Sequence, residues 1–100
     1  MSNVVSFNSY KLQAGVSVAD YLLAVETMTK EFASKQKGWI SSKTMVDKDV
    51  WADFTVFESA DALQAFAEAF HDSEIAKACF SFMDFGSMKS HVFTVEQSFN

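Results

Sequence analysis

The feature that most constrains this chain is a change in the spacing of its apolar residues between Val50 and Phe70. The segment Val50–Phe57 is a run of β-branched and aromatic residues interrupted by one acid, Asp53, and such a run predicts a strand. After Ser59 the apolar residues recur every three to four positions, and the Ser59 hydroxyl is placed to accept hydrogen bonds from the free amides of a first helical turn. The stretch therefore predicts a strand that leads directly into a helix.

The rest of the chain supplies the other elements of a small α+β domain. Alternating or β-rich segments predict further strands at Val4–Leu12, Trp39–Val46 and Ser90–Phe99, while capping residues and helical spacing predict a helix after Ser17 and a helical piece at Glu74–Met83 that Gly86 ends. This order predicts one domain over residues 1–100, a ferredoxin-like βαββαβ fold with a four-stranded antiparallel sheet and the helices on one face.

The aromatic content indicates that the second face of this sheet is also covered. The 100 residues include eleven Phe, two Trp and two Tyr, which is more ring surface than one small core needs. An uncovered sheet face rich in Phe, Val and Trp favours association with a second copy of the sheet. We therefore predict a homodimer.

Charge and cysteine usage exclude several classes of partner. The net charge is −5 and all eight basic residues are lysines, so the chain has neither a basic stripe nor the guanidinium groups suited to nucleic acid or an anionic membrane. No apolar run approaches the ~20 residues of a membrane span, and the amino terminus lacks the features of a signal peptide. With Cys79 as the single cysteine, no internal disulfide is possible, and we predict a cytoplasmic protein.

Two segments resemble the dimeric α+β barrel superfamily, specifically its antibiotic biosynthesis monooxygenase-like group. They are the passage Phe54-Thr55-Val56-Phe57-Glu58-Ser59-Ala60-Asp61-Ala62-Leu63-Gln64-Ala65-Phe66 and the later Ser73-Glu74-Ile75-Ala76-Lys77-Ala78. The resemblance implies a ligand site between the sheet and the helices of each subunit, and an oxygenase that needs no cofactor. It matches Asn8 to a functional asparagine of the first strand, Phe57 to a tryptophan that closes the third, and Phe80 to the histidine that binds iron in haem-degrading members. Since Phe80 cannot ligate iron, haem degradation is disfavoured.

Strand alternation selects the residues that would line such a site. It places Trp51, Asp53, Thr55 and Phe57 on one face, and we predict that this mixed face, with Phe80, lines a ligand pocket. Desolvation among aromatic rings would raise the pKa of Asp53 and make it a possible base. The alternative is that Asp53 pairs with Lys43 or with a hydroxyl on a neighbouring strand, or lies near an open edge of the sheet.

Histidine is the other candidate for proton transfer. Histidine can accept a proton near neutral pH, so His91, in the last predicted strand, is a candidate base, or else a half-exposed residue of an edge strand. Neither histidine has further ligands at metal-binding spacing, so no metal is predicted. The leading hypothesis is a cofactor-independent monooxygenase-like protein acting on a small aromatic or quinone-like molecule, with His91 or Asp53 as the base and Asn8 binding the oxyanion. A non-enzymatic dimer that binds a small ligand or a partner is the alternative, and a lyase or isomerase also remains open.

Overall fold

Residues 2–100, which a computed structural model describes, follow the predicted order of elements; Met1, the first residue of the predicted domain, lies outside them. The helices and strands of the described residues are β1 (Val4–Leu12), α1 (Val18–Glu31), β2 (Trp39–Asp47), β3 (Val50–Phe57), α2 (Ala60–His71), α3 (Glu74–Phe80) and β4 (Met83–Thr94). A single turn of 3-10 helix, Ala33–Lys35, follows α1.

The strands form one antiparallel sheet in the order β2-β3-β1-β4, which confirms the predicted ferredoxin-like topology. The central pair β1 and β3 fixes which residues share a face, because residues directly opposite in antiparallel strands project to the same side. Asn8 lies opposite Asp53, and Asp53 lies opposite Thr44 on the next strand. Ser6, Thr55 and Ser42 form a second row in the same way. Both rows face the helices.

Each helix begins at a serine whose side chain accepts a backbone hydrogen bond. Ser17 Oγ accepts from the amide of Asp20 at 3.2 Å, and Ser59 Oγ accepts from the amide of Ala62 at 3.1 Å. Ser73 Oγ caps α3 in the same manner at 3.1 Å. These bonds satisfy amides that no helical carbonyl can reach. These capping serines therefore allow the start of each helix to be predicted from the sequence.

The predicted boundary between the last helical piece and the last strand is wrong. The helix ends at Phe80, whereas β4 begins at Met83 and ends at Thr94. Met83 pairs with Leu12 of β1, and this long-range pairing outweighs the local helical spacing of the apolar residues. Gly86 consequently lies inside β4, at the irregular register opposite β1, and does not terminate a helix.

Two groups of buried side chains hold the helices on the sheet. One contains Tyr10, Tyr21, Trp51, Cys79 and Met83, with the rings of Tyr21 and Trp51 meeting edge to face at 5.4 Å between centroids. The other contains Phe32, Ala33 and Ala76 beneath partly buried rings of α2. Both groups lie on the helix side of the sheet. They leave a space between them, and the cavity described below occupies it.

The opposite face of the sheet carries apolar side chains and no covering element from residues 2–100. Phe93 is 52% exposed and Met45 39% exposed. Phe7, Phe54 and Val56 project to the same side and are partly buried by their neighbours. None of the helices in the described residues has the length and apolar character needed to cross a bilayer.

Candidate active site

A cavity of about 290 Å³ lies between the sheet and all three helices. Its floor is polar: side chains of three adjacent strands form the two rows Ser6–Thr55–Ser42 and Asn8–Asp53–Thr44. Its ceiling is apolar and is contributed mainly by α1 and α2 through Val25, Met28, Leu63, Phe66 and Phe70. A flat ligand between these surfaces would stack on rings and aliphatic carbons while its polar substituents meet the floor.

Asp53 is the carboxylate of this floor, and it has a specific hydrogen-bond partner. The hydroxyl of Tyr10, on the neighbouring strand β1, donates to Asp53 Oδ1 at 2.8 Å. The Tyr10 hydroxyl also makes a very short hydrogen bond with the hydroxyl of Tyr21, which is completely buried. Asp53 is therefore the end of this hydrogen-bonded chain that faces the cavity, and the two phenols behind it are buried. Of the partners considered for it from the sequence, the hydroxyl is present, whereas Lys43 pairs with Phe54 in the strand register and forms no ion pair with Asp53.

Burial dominates the electrostatics of this chain of groups. It raises the pKa of Asp53 to about 6, although the hydrogen bond from Tyr10 lowers that pKa in part. Burial likewise raises the pKa values of Tyr10 and Tyr21, and the adjacent Asp53 carboxylate raises them further. The two phenols therefore stay protonated, and Asp53 is the group that exchanges a proton near neutral pH.

Cys79 is a neighbour of this network without sharing its chemistry. The thiol is buried, and burial raises its pKa to about 12, with a further contribution from the Asp53 charge. A thiol in this state is not a nucleophile at neutral pH. It serves as a small apolar side chain at the cavity wall.

A second chain of hydrogen bonds reaches the floor from the edge strand β2. Trp39 Nε1 donates to Ser42 Oγ at 2.9 Å, and Ser42 Oγ donates to Thr55 Oγ1 at 3.2 Å. Trp39 follows Gly38, whose φ of +85° turns the chain into β2. The positive φ of Gly38 thus places the Trp39 indole where it can donate to Ser42.

Five of the seven predicted site residues meet at the cavity. Asn8, Asp53, Thr55, Phe57 and Phe80 all line it. Trp51 shares their face but does not line the cavity. It is 8% exposed and packs on Tyr21 in the core beside it. His91 lies opposite Phe7 on the other face of the sheet, where it stacks on Phe93 with 5.5 Å between ring centroids. The structure does not bring His91 to the cavity.

Sequence reasoning missed Tyr10 and Tyr21. The two tyrosines are the largest polar side chains behind Asp53, yet each stands in a segment that also reads as ordinary core. Their meeting depends on how β1, β3 and α1 pack, and no local signal in the sequence carries that information. A buried acid on a strand, with tyrosine on neighbouring elements, was the one available hint.

The sequence matches no protein-family model and no curated protein. Solved structures, in contrast, resemble the chain over nearly its whole length. The cofactor-independent oxygenase SnoaB from Streptomyces nogalater aligns over 98% of this chain and 97% of its own, with 16% identity and a TM-score of 0.76. The monooxygenase from the gene ActVA-Orf6 of Streptomyces coelicolor, solved in complex with the ligand nanaomycin D, aligns over 99% and 92%, with 18% identity and a TM-score of 0.70.

A third structure, from Bordetella bronchiseptica, is provisionally assigned to the antibiotic biosynthesis monooxygenases. It aligns over 100% of both chains with 14% identity and a TM-score of 0.77. At these identities the likeness concerns architecture. The chain has the fold of the antibiotic biosynthesis monooxygenase-like proteins.

Proposed function

We propose that the cavity binds a small aromatic, phenol- or quinol-like molecule and that the protein oxygenates it without a cofactor. The observation that carries this proposal is Asp53, a partly buried carboxylate of raised pKa on the polar floor of an otherwise aromatic cavity. A base of this kind is matched to removing a phenolic proton near neutral pH. The solved oxygenases of the same fold support the reaction class by analogy.

In the proposed reaction Asp53 takes the phenolic proton and the phenolate becomes the electron-rich reactant. Oxidation of a phenol to a quinone then consumes one O₂, places one oxygen atom on the ring and releases the other as water. Both reducing equivalents come from the substrate, so the balance needs no further reductant. Asn8, opposite Asp53 on β1 and on the cavity floor, is placed to donate its amide hydrogens to the oxyanion.

The apolar ceiling has its own part in this chemistry. Rings of α2 and α3 cover part of the floor, and a phenolate beside these apolar walls, with fewer water molecules around it, keeps its charge density for reaction with O₂. His91 has no part in the step because it lies on the opposite face of the sheet. We assign to His91 and Phe93 a place in the contact between two copies of the sheet.

The test uses 1-naphthol, whose conversion to 1,4-naphthoquinone has the stoichiometry given above. Oxygen uptake and quinone absorbance are measured with wild-type protein, with Asp53→Asn and with Asp47→Asn, an exposed aspartate at the end of β2. We expect Asp53→Asn to lose most of the turnover and Asp47→Asn to keep it. Product formed at full rate without oxygen would exclude an oxygenase, and binding that survives in every variant without any turnover would favour the non-enzymatic ligand-binding protein.

The proposal includes a homodimer formed through the outer face of the sheet. Exposed apolar side chains on that face, among them Phe93 and Met45, are better covered than left in water. Sedimentation velocity of the wild-type protein and of Phe93→Glu tests this assignment. A dimer that the substitution dissociates is the expected result, whereas a monomeric wild-type protein at micromolar concentration would contradict it.

A further inference from the structure

The hydrogen bonds behind Asp53 have a fixed direction. A phenol has a single hydrogen, and Tyr10 donates its hydrogen to Asp53 Oδ1 at 2.8 Å. In the contact with Tyr21, the Tyr10 hydroxyl therefore accepts and Tyr21 is the donor. A proton that leaves Tyr21 has a path through Tyr10 to the carboxylate. Neither side chain has to rotate for that transfer, because each hydrogen already lies in a bond that points toward Asp53.

The two phenols are enclosed, so their protons have no direct route to solvent. Tyr10 is 1% exposed and Tyr21 is 0% exposed. Among residues 2–100, no further side chain is hydrogen-bonded to either hydroxyl. Asp53 is ionised at about pH 8, since burial raises its pKa only to about 6. The carboxylate is thus a base in place for either phenol.

An electron needs no hydrogen-bonded path, because it can pass between rings in contact. Tyr21 borders the cavity, whereas Tyr10 lies behind it. The Tyr21 ring meets the Trp51 ring edge to face at 5.4 Å between centroids, and Trp51 lies directly opposite Tyr10 in the strand register. Three electron-rich rings are therefore in contact beside the cavity, and one of them forms part of its wall.

We propose that Tyr21, Tyr10 and Asp53 form a one-electron donor that reduces small peroxyl radicals at the cavity. The electron leaves Tyr21, the Tyr21 proton passes to Tyr10, and the Tyr10 proton passes to Asp53. The peroxyl radical becomes a peroxide anion, which takes the proton from Asp53 and leaves as a hydroperoxide. In sum, the O–H bond of Tyr21 breaks, the O–H bond of the hydroperoxide forms, and the unpaired electron stays on Tyr21. This activity goes beyond the proposed oxygenation, since it requires no phenolic substrate.

Coupling of the two transfers is what the buried position demands. A phenol that lost only an electron would become a cation in an apolar core, which is costly. A phenol that lost only its proton would become an anion beside Asp53; burial, and to a lesser degree that carboxylate, hold the pKa of Tyr21 above its ordinary range. When electron and proton leave together, a neutral tyrosyl radical and a neutral carboxylic acid remain. The hydrogen-bonded chain therefore allows oxidation without creating a buried charge.

The experiment uses the trichloromethylperoxyl radical, a small apolar peroxyl radical made by pulse radiolysis of an aerated solution that contains carbon tetrachloride. Transient absorbance, in which tyrosyl and tryptophanyl radicals have separate bands, follows its reaction at a pH where Asp53 is ionised. The chain contains two tyrosines, so every tyrosyl signal comes from Tyr10 or Tyr21. Wild-type protein is compared with Tyr10→Phe, Tyr21→Phe and Asp53→Asn. The matched control is Asp47→Asn, at the exposed end of β2.

We expect the tyrosyl signal of the wild-type protein to grow as the tryptophanyl signal decays. In Asp53→Asn the tyrosyl radical should form about 100-fold more slowly, because no base receives the phenolic proton, whereas Asp47→Asn should match the wild-type protein. In Tyr10→Phe, Tyr21 keeps its ring but loses its path to the carboxylate, so the radical should stay on tryptophan. Tyr21→Phe should keep a tyrosyl signal, because Tyr10 still donates directly to Asp53.

A tyrosyl radical that formed equally fast in Asp53→Asn and in the wild-type protein would overturn the proposal. Equal tyrosyl signals in the two Phe variants would also overturn it, because the direction of the chain makes Tyr10 and Tyr21 unequal. Near-UV circular dichroism checks the core of each variant, and if a Phe variant is misfolded the comparison of Asp53→Asn with Asp47→Asn decides. Turnover of 1-naphthol by the wild-type protein is measured separately, so failure of the radical reaction leaves the proposed oxygenation to its own test.

Discussion

The raised pKa of Asp53 predicts that the ionised carboxylate lowers the free energy of unfolding of the wild-type protein. The substitution Asp53→Asn tests this, because the amide keeps the oxygen that accepts from Tyr10 and nearly the same volume but cannot ionise. A folded pKa of about 6, above the ordinary value of 3.8, means that the folded protein holds the proton more tightly than the unfolded chain. The stability that this group contributes is therefore complete below about pH 4 and is lost as the pH rises through about 6.

The magnitude follows from the same two pKa values. At 1.36 kcal/mol for each pKa unit, the difference between about 6 and 3.8 corresponds to a cost of about 2–3 kcal/mol at about pH 8, where the lower figure allows for solvent near the carboxylate. At about pH 4 the cost falls below ~1 kcal/mol. Asp53→Asn should therefore be more stable than the wild-type protein at the higher pH and nearly equal to it at the lower.

Urea unfolding monitored by tryptophan fluorescence measures this difference, since Trp51 is buried in the core next to Tyr21. With an m-value of ~1.5 kcal/mol per molar urea, which lies within the range for small proteins, the midpoint should rise by about 1–2 M at about pH 8. Asp47→Asn, at an exposed position, is the control and should leave the midpoint unchanged. A gain of the same size at both pH values, or no gain at about pH 8, would refute the reasoning.

Three further substitutions test the surroundings of the site. Tyr10→Phe removes a hydrogen bond that lowers the pKa of Asp53, so that pKa should rise further. Carbon-13 NMR titration of the Asp53 carboxyl measures it, and an unchanged titration would mean that the bond is not formed in solution. Gly38→Ala places a methyl group against Ala62 at a φ of +85° and should cost more than ~2 kcal/mol in urea unfolding; a neutral result would show that the turn adapts. Ser59→Ala removes the cap of α2 and should cost about 1 kcal/mol, seen as a melting temperature about 4–8 °C lower, and an equal melting temperature would contradict the capping role.

Local signals were sufficient for most of the fold. The change of spacing after Phe57 and the cap at Ser59 are properties of a few neighbouring residues, and they located the junction of β3 and α2. The start of β4 was predicted wrongly because Met83 joins the sheet by pairing with Leu12, more than seventy positions earlier in the chain. Pairing over that distance leaves no mark on the local spacing of apolar residues.

The sequence was sufficient to predict which residues of β3 share a face at the candidate site, but not the hydrogen bonds that these residues form. Alternation along β3 was enough to group Asp53 with Thr55 and Phe57, because successive strand residues take opposite sides. The side occupied by His91 depends on its pairing with Phe7 of β1, which no property of the last strand alone determines. The contact of Tyr10 with Asp53 likewise depends on how two distant strands align.

The division of the cavity between sheet and helices has a consequence for how ligand preference changes in evolution. The floor is held by the hydrogen-bond ladders of three strands, so the spacing of its polar groups is rigid. The ceiling consists of separate helical side chains such as Leu63 and Phe66, and each can be exchanged without disturbing a ladder. Mutation can therefore change how large a molecule fits the cavity while leaving unchanged the positions of the polar groups on the floor. A scaffold of this kind can vary the size of the ligands that fit it and conserve the polar pattern that orients them.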